Sequence, residues 1–247
     1  MPITRISGKN LAILVGIVAL GVLIGRWGGP ALMHWVIVRS APRKMQSYLR
    51  SHSVRKLQIG AGGVSYLGWL NTDITPSDEQ AYLDATKSFP LPDGSIQYIF
   101  GEHVIEHLSY EDGLFMLREC HRVLSSGGKS RLATPNLLKY FQLFQNPKTE
   151  EVTRYLEGKL KWHGWPPSAH PESQILNLEL RSFGHTFVYD PATLVDSLAQ
   201  AGFGHIAQFA PGESDDQELQ NIEIRHKDPA LRSLNDYESM VLQAVRP

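Results

Sequence analysis

Lys56-Leu57-Gln58-Ile59 runs directly into Gly60-Ala61-Gly62-Gly63, and a second short run from about Trp69 closes on Asp73. A β-forming segment entering a glycine-dense turn, followed by a strand that ends in an acid, constrains the chain to a doubly wound α/β sheet that receives an adenosine. The glycines let backbone N–H groups approach a ligand where a Cβ would stand in the way. The carboxylate, with two acceptor oxygens, suits a pair of ribose hydroxyls. A Gly-x-Gly alone turns chains of every kind, so its weight comes from the ordered elements behind it.

Only some ten residues separate the first strand (56–59) from the second (69–73), so the usual crossover helix is expected to be short or absent. Asp84-Ala85 closes a third extended segment, Phe89 to Gly94 reads as a loop, and Ile96–Phe100 reads as the central fourth strand. Ser109 is placed to cap a helix from Tyr110 to Leu124, with Asp112 at the reciprocal capping position. Ser125-Ser126-Gly127-Gly128 is expected to end that helix before a fifth strand over 130–133. Residues 137–180 read as mostly helical and rich in aromatics, an insertion suited equally to covering an acceptor site and to packing helices. Asp190-Pro191 opens a further helix to about Ala201, and strands near 205–210 and 239–245 finish the sheet.

The N-terminus differs in kind. Leu11 to Gly25 is a run of 15 residues without a charge, flanked by Lys9 and Arg26. A helix of that length covers about 22 Å at ~1.5 Å per residue, against a hydrocarbon core of about 30 Å. Extension to Trp27, with Arg26 snorkelling, reaches the lower limit for a span. Residues 1–38 are therefore expected to form a single-pass membrane anchor, interrupted at Gly28-Gly29-Pro30, with a basic juxtamembrane linker over 39–54. The run also fits the apolar region of a cleavable signal, but no small-x-small site lies close behind Gly25. Arg26, Arg39, Arg43, Lys44 and Arg50 outnumber Arg5 and Lys9, which orients the C-terminal part towards the cytoplasm.

Net charge is −1 over 247 residues, which gives no electrostatic footprint for nucleic acid. The single cysteine, Cys120, excludes an internal disulfide framework and fits a reducing compartment. Oligomeric state is not legible.

Taken in order, Leu57 to Gly63, Asn71-Thr72-Asp73-Ile74, Phe89 to Ile99, Glu102 to Leu108 and Leu117 to Gly128 resemble the class I S-adenosylmethionine-dependent methyltransferases of the type 11 kind. The likeness continues more loosely through Gly184-His185-Thr186 and Tyr189-Asp190. It implies a Rossmann-like α/β fold, a seven-stranded sheet with helices on both faces, over residues 55–247. It implies S-adenosylmethionine as cofactor, with Gln58, Gly60, Ala61, Gly62, Asp73, Ile74, Asp84, Ala85 and Glu102 as binding residues. Asp73 would take the ribose hydroxyls, Asp84 with the Ala85 backbone the adenine amino group, and Glu102 and His103 would lie near the sulfonium. His103 and His185 are the candidate catalytic bases, and no metal is expected. The acids usual in the first and fourth strands are Gln58 and Gln97 here, which keeps hydrogen-bonding capacity and loses charge.

The expected function is methyl transfer to a small-molecule acceptor or to a lipid- or glycan-linked one at the membrane. The alternative is a tethered S-adenosylmethionine-binding module without turnover. A second alternative is a zinc metallopeptidase, because His103-Val104-Ile105-Glu106-His107 spells H-x-x-E-H. That chemistry needs the motif inside a continuous helix. A dinucleotide oxidoreductase is disfavoured, since Ser65 stands where a third glycine belongs and Asp73 arrives early.

Overall fold

The computed structural model describes residues 29–226 and 228–247. The charge-free run from Leu11 to Gly25 lies outside them, and among the described residues no helix is long and apolar enough to cross a membrane. The chain divides into two compact units, residues 1–41 and 42–247.

The first helix, α1, covers Gly29–Ser51. The expected boundary at 38/39 therefore falls inside one continuous helix. Gly29 and Pro30 open the helix, and a proline in the first turn withholds an N–H that has no intrahelical partner anyway. Pro42 sits within the same helix, where its missing N–H removes one backbone bond. In the first unit the Arg39 guanidinium lies 4.5 Å above the Trp35 ring, and the Ser40 hydroxyl donates to Ile37 O at 2.9 Å.

In the second unit seven strands form one mixed sheet: β1 Lys56–Ile59, β2 Leu70–Asp73, β3 Ala81–Tyr82, β4 Ile96–Glu102, β5 Leu124–Pro135, β6 Gly204–Phe209 and β7 Ser239–Val245. Their order is β3-β2-β1-β4-β5-β7-β6. The first five are parallel, and β7 runs antiparallel between β5 and β6. The order reverses between β1 and β4, the switch point where such sheets open a crevice at the carboxyl ends of the strands.

Two helices begin as their sequences require. Ser109 caps α2 (Tyr110–Val123) by accepting from Asp112 N, and Asp190 caps a helix over Pro191–Gln200 by accepting from Ala192 N and Thr193 N. The end of α2 differs from expectation. Ser125 to Gly128 belong to β5, which begins at Leu124, and the pairing with β4 shifts register between Ile96 and Tyr98. Gly127 adopts φ +75 and donates to Arg246 O at 2.8 Å, so the turn is absorbed as an irregularity of the strand. Residues 137–181 hold α3 (Leu137–Gln142), α4 (Glu150–Trp162) and α5 (Glu172–Arg181). The Pro191–Gln200 helix is α6, and α7 covers Pro229–Glu238.

One face of the sheet packs Leu57, Ile59, Ile99, Leu132 and Leu242 against Met116, Leu117 and Leu198 of α2 and α6. Phe100, one residue along β4 from Ile99, points to the opposite face and packs with Trp69, Leu219 and Ile222. Among the described residues, the helical part of this cluster is only the 3-10 turn Gln217–Leu219. No helix connects β1 to β2, and the loop through Leu219 and Ile222 fills the space. Arg131 of β5 anchors that loop through a buried ion pair with Glu223, 2.6 Å from Nε to Oε1.

Within the second unit, the end of α1 is fastened to the sheet. Met45 is fully buried, and Lys44 donates to Asp78 O and Gln80 O, each at 2.8 Å. The Tyr48 hydroxyl accepts from Lys56 N at 2.8 Å and shares its proton between Lys56 O and Gly68 O. Tyr48→Phe would leave the Lys56 N–H and these carbonyls short of partners at the start of β1. We expect a loss of about 1–3 kcal/mol, read as a lower midpoint in urea with the slope unchanged.

Candidate active site

The carboxyl ends of β1, β2 and β4 surround a cavity of about 690 Å³. All nine residues expected to bind the cofactor stand on its wall: Gln58, Gly60, Ala61, Gly62, Asp73, Ile74, Asp84, Ala85 and Glu102. The Asp73 carboxylate accepts from Gly62 N at 2.8 Å through one oxygen, and from Thr75 N (2.8 Å) and Thr75 Oγ1 (3.1 Å) through the other. The acid that ends β2 thus pins the turn that follows β1. Asp84 is engaged as fully, in part by a charged group. It accepts from Thr86 N and Oγ1 and pairs with Lys87 at 2.7 Å, and these contacts hold its pKa below the usual carboxylate range despite partial burial.

The two glycines of the turn serve different needs. Both have positive φ, +66 at Gly60 and +52 at Gly62. A Cβ on Gly60 would sit 2.2 Å from Val104 Cγ2, whereas a Cβ on Gly62 would meet nothing within 4 Å. Gly60 therefore lets the wall close against Val104, and Gly62 leaves its edge of the cavity open.

Two buried polar atoms on this wall, Gln58 Oε1 and Glu102 Oε1, have no hydrogen-bond partner. Burial pushes Glu102 up to about 7, with the neighbouring His103 acting in the opposite sense. An amide oxygen and a carboxyl oxygen, both buried without a partner in a crevice, suit a ligand that brings donors or positive charge.

His103 borders this cavity and a second one of about 310 Å³. Its backbone is left-handed, with φ 53. Its Nδ1 lies 3.0 Å from Glu106 Oε1 and its Nε2 lies 3.2 Å from Ser239 Oγ, so both ring nitrogens are engaged. Burial alone would lower its pKa, but the Glu106 carboxylate more than offsets this and the net shift is upward. His185 does not reach the first cavity. It lines the second, with Nδ1 on Glu179 O, and burial lowers its pKa. The H-x-x-E-H sequence is not helical: Ile105–His107 is a single 3-10 turn after the strand, which removes the scaffold a zinc peptidase requires.

The second cavity has further walls that the sequence did not single out. Arg225 and His226 border both cavities. Their backbone position follows from the anchored Glu223, a buried contact with no sequence signature. Lys159 of α4 is clamped at 2.6 Å to Glu179 and 2.7 Å to Glu238 with its side chain 2% exposed. Trp162 and Phe183 line the same space, while Tyr140, Tyr155, Ile175 and Tyr237 form a separate core beneath. The 137–180 segment thus packs its helices together and also lines the second cavity.

Residues 57–132 match the family model described as a methyltransferase domain. This stretch is a class I S-adenosylmethionine-dependent methyltransferase domain. The chain is also similar to two solved structures. One is a SAM-dependent methyltransferase from Archaeoglobus fulgidus, with 17% identity, 85% of this chain and 93% of that chain covered, and a TM-score of 0.47. The other is an S-adenosylmethionine-dependent methyltransferase from Mesorhizobium loti, with 17% identity, 82% and 98% covered, and a TM-score of 0.44. No curated protein matches the chain. The cofactor of this domain is S-adenosylmethionine, and the residues present fit it: the orphaned Gln58 and Glu102 oxygens offer acceptors to a ligand that carries an ammonium and a sulfonium.

The glycine geometry gives a prediction. Gly60→Ala should cost about 1–3 kcal/mol through overpacking against Val104, in addition to strain at positive φ. Gly62→Ala should cost only the strain, about 1–2 kcal/mol, yet weaken cofactor binding because its methyl enters the cavity. Thermal melts and calorimetry with S-adenosylmethionine separate the two effects.

Proposed function

We propose that the chain is a membrane-anchored enzyme that moves a methyl group from S-adenosylmethionine to a small-molecule, lipid-linked or glycan-linked acceptor held in the second cavity. The observation that carries this reading is the Asp73 carboxylate fixed at the cavity wall by the Gly62 N–H. Of the carboxylate's roughly four lone-pair sites, bonds from Gly62 N, Thr75 N and Thr75 Oγ1 use three, so one ribose hydroxyl finds an open site and a second takes the place of a Thr75 bond.

The sulfonium supplies an activated methyl group, so the protein's work is alignment and the exclusion of water. Gly60, Ala61, Gly62 and Ile74 shape the wall; Gln58 and Glu102 accept from the cationic end. Ala85 offers backbone to the adenine edge, while the Asp84 carboxylate meets it only by sharing its bonds with Thr86 and Lys87. Of the two histidines read as proton acceptors, only His103 borders both cavities, and we assign it that role for an acceptor whose nucleophile carries a proton.

The anchor reading rests on the charge-free run over 11–25 and on the basic residues behind it, which orient the catalytic domain towards the cytoplasm. An anchor keeps the site close to acceptors that live at the membrane.

Calorimetry with S-adenosylmethionine should give saturable binding that Asp73→Ala weakens by roughly 10-fold or more, the scale of a lost hydrogen bond to a charged group. Release of S-adenosylhomocysteine in the presence of membrane extract distinguishes an enzyme from a binding module, which would bind and not release it. Leu14→Arg together with Val18→Arg should move the full chain from the membrane pellet to the supernatant. Recovery of the unaltered chain in the supernatant contradicts the anchor.

A further inference from the structure

We propose that Glu106, His107 and His185 form a binding site for a divalent cation of the zinc type at the junction of the two cavities. One ligand atom from each residue lies within 4.8 Å of the other two. Tetrahedral bonds of 2.0–2.2 Å would set such atoms about 3.4 Å apart, so the widest gap closes by about 1.4 Å. His107, exposed at the surface, is free to supply that movement.

Three features single this cluster out from a chance gathering of polar groups. Both imidazoles present Nδ1 to a backbone carbonyl: His107 to Gly184 O at 3.4 Å and His185 to Glu179 O. Such a contact selects the Nδ1–H tautomer and leaves the Nε2 lone pair for a metal, as outer partners do for metal-binding histidines. Glu106 is completely buried. Its Oε2 accepts from Thr134 Oγ1 at 3.0 Å, while Oε1 has no aligned hydrogen bond and only His103 Nδ1 stands beside it at 3.0 Å.

The two contributing segments are also stitched together. Thr186 N and Phe187 N both donate to Glu106 O, at 2.7 and 3.1 Å, and Thr186 Oγ1 donates to His107 O at 3.2 Å. The two backbone segments therefore stay together without the ion, leaving only the side chains to adjust, and the His107 and His185 ring centroids lie 5.0 Å apart.

Two imidazoles and one carboxylate favour zinc over magnesium or calcium. Three protein ligands leave a coordination position open. His185 lines the second cavity and His107 lines both, so the open position faces the space between them. Its use, holding an oxygen of the acceptor, rests on the methyltransferase reading; the binding of the cation does not. The sequence led us to expect no metal. The H-x-x-E-H order misled because it names His103 as the ligand partnered with His107, whereas here His103 supports Glu106 and the third ligand comes from His185.

The test uses the tag-free full chain in detergent, stripped with a chelator and titrated with zinc against a chromophoric competitor. One equivalent should bind with submicromolar affinity. His107→Ala and His185→Ala should each weaken it more than about 100-fold, beyond the effect of losing an outer partner, and His52→Ala should leave it unchanged. Thermal melts of the metal-free variants verify folding, with His107→Gln and His185→Gln as replacements for any alanine variant that fails. No saturable zinc binding, or wild-type affinity in either folded variant, overturns the proposal. S-adenosylmethionine calorimetry on the same metal-free sample tests the methyltransferase reading separately.

Discussion

The hydrogen bond from the Gly62 N–H to the Asp73 carboxylate, 2.8 Å long, ties the turn after β1 to the end of β2. It acts together with the Ala61 N–H bond to Thr72 O at 2.9 Å and the Gln80 Nε2 bond to Gly62 O at 3.0 Å, since no helix follows β1 to brace the loop from the other side. Positive φ at Gly60 and Gly62 allows the backbone to reach the carboxylate. The neighbouring Thr75 occupies the second oxygen and fixes the rotamer. A carboxylate held in this way loses little further freedom on meeting a ligand, which is the physical meaning of a preorganised site.

The missing crossover helix has a structural consequence on the far face of the sheet. Phe100 and Arg131 would be uncovered there, and a loop takes the helix's place through Leu219, Ile222 and the buried Arg131–Glu223 pair. Burying two charges is costly unless they are paired and hydrogen-bonded, and Gly212 N supplies a further bond to Glu223 at 2.8 Å. That anchor fixes the stretch leading to Arg225 and His226, which border both cavities. The same loop that completes the fold thus completes the site.

The strands, the caps and the cavity at the strand ends were legible because each depends on local chemistry. Lys56–Ile59 alternates into a glycine turn, Ser109 and Asp190 cap with their own side chains, and the nine residues expected to bind the cofactor line one cavity at or just beyond the strand ends. The errors have longer-range causes. Gly127 reads as a helix stop, but Arg246, distant in sequence, draws it into β5. Gly28-Gly29-Pro30 reads as a break, and α1 does begin at Gly29; the boundary expected at 38/39 is absent because the helix runs on through Pro42. His185 reads as a candidate base in its own right, and the fold places it in the second cavity beside His107, a cavity that His103 also borders. The Lys159–Glu179–Glu238 cluster joins α4, α5 and α7, a meeting no spacing rule announces.

A crystal structure with S-adenosylhomocysteine bound tests the central claim most directly. The account predicts both ribose hydroxyls within hydrogen-bonding distance of the Asp73 carboxylate, with the Gly62 bond retained and the amino group near Gln58 and Glu102. A nucleoside lodged elsewhere, or an Asp73 side chain that keeps only Gly62 and Thr75 as partners, would contradict it.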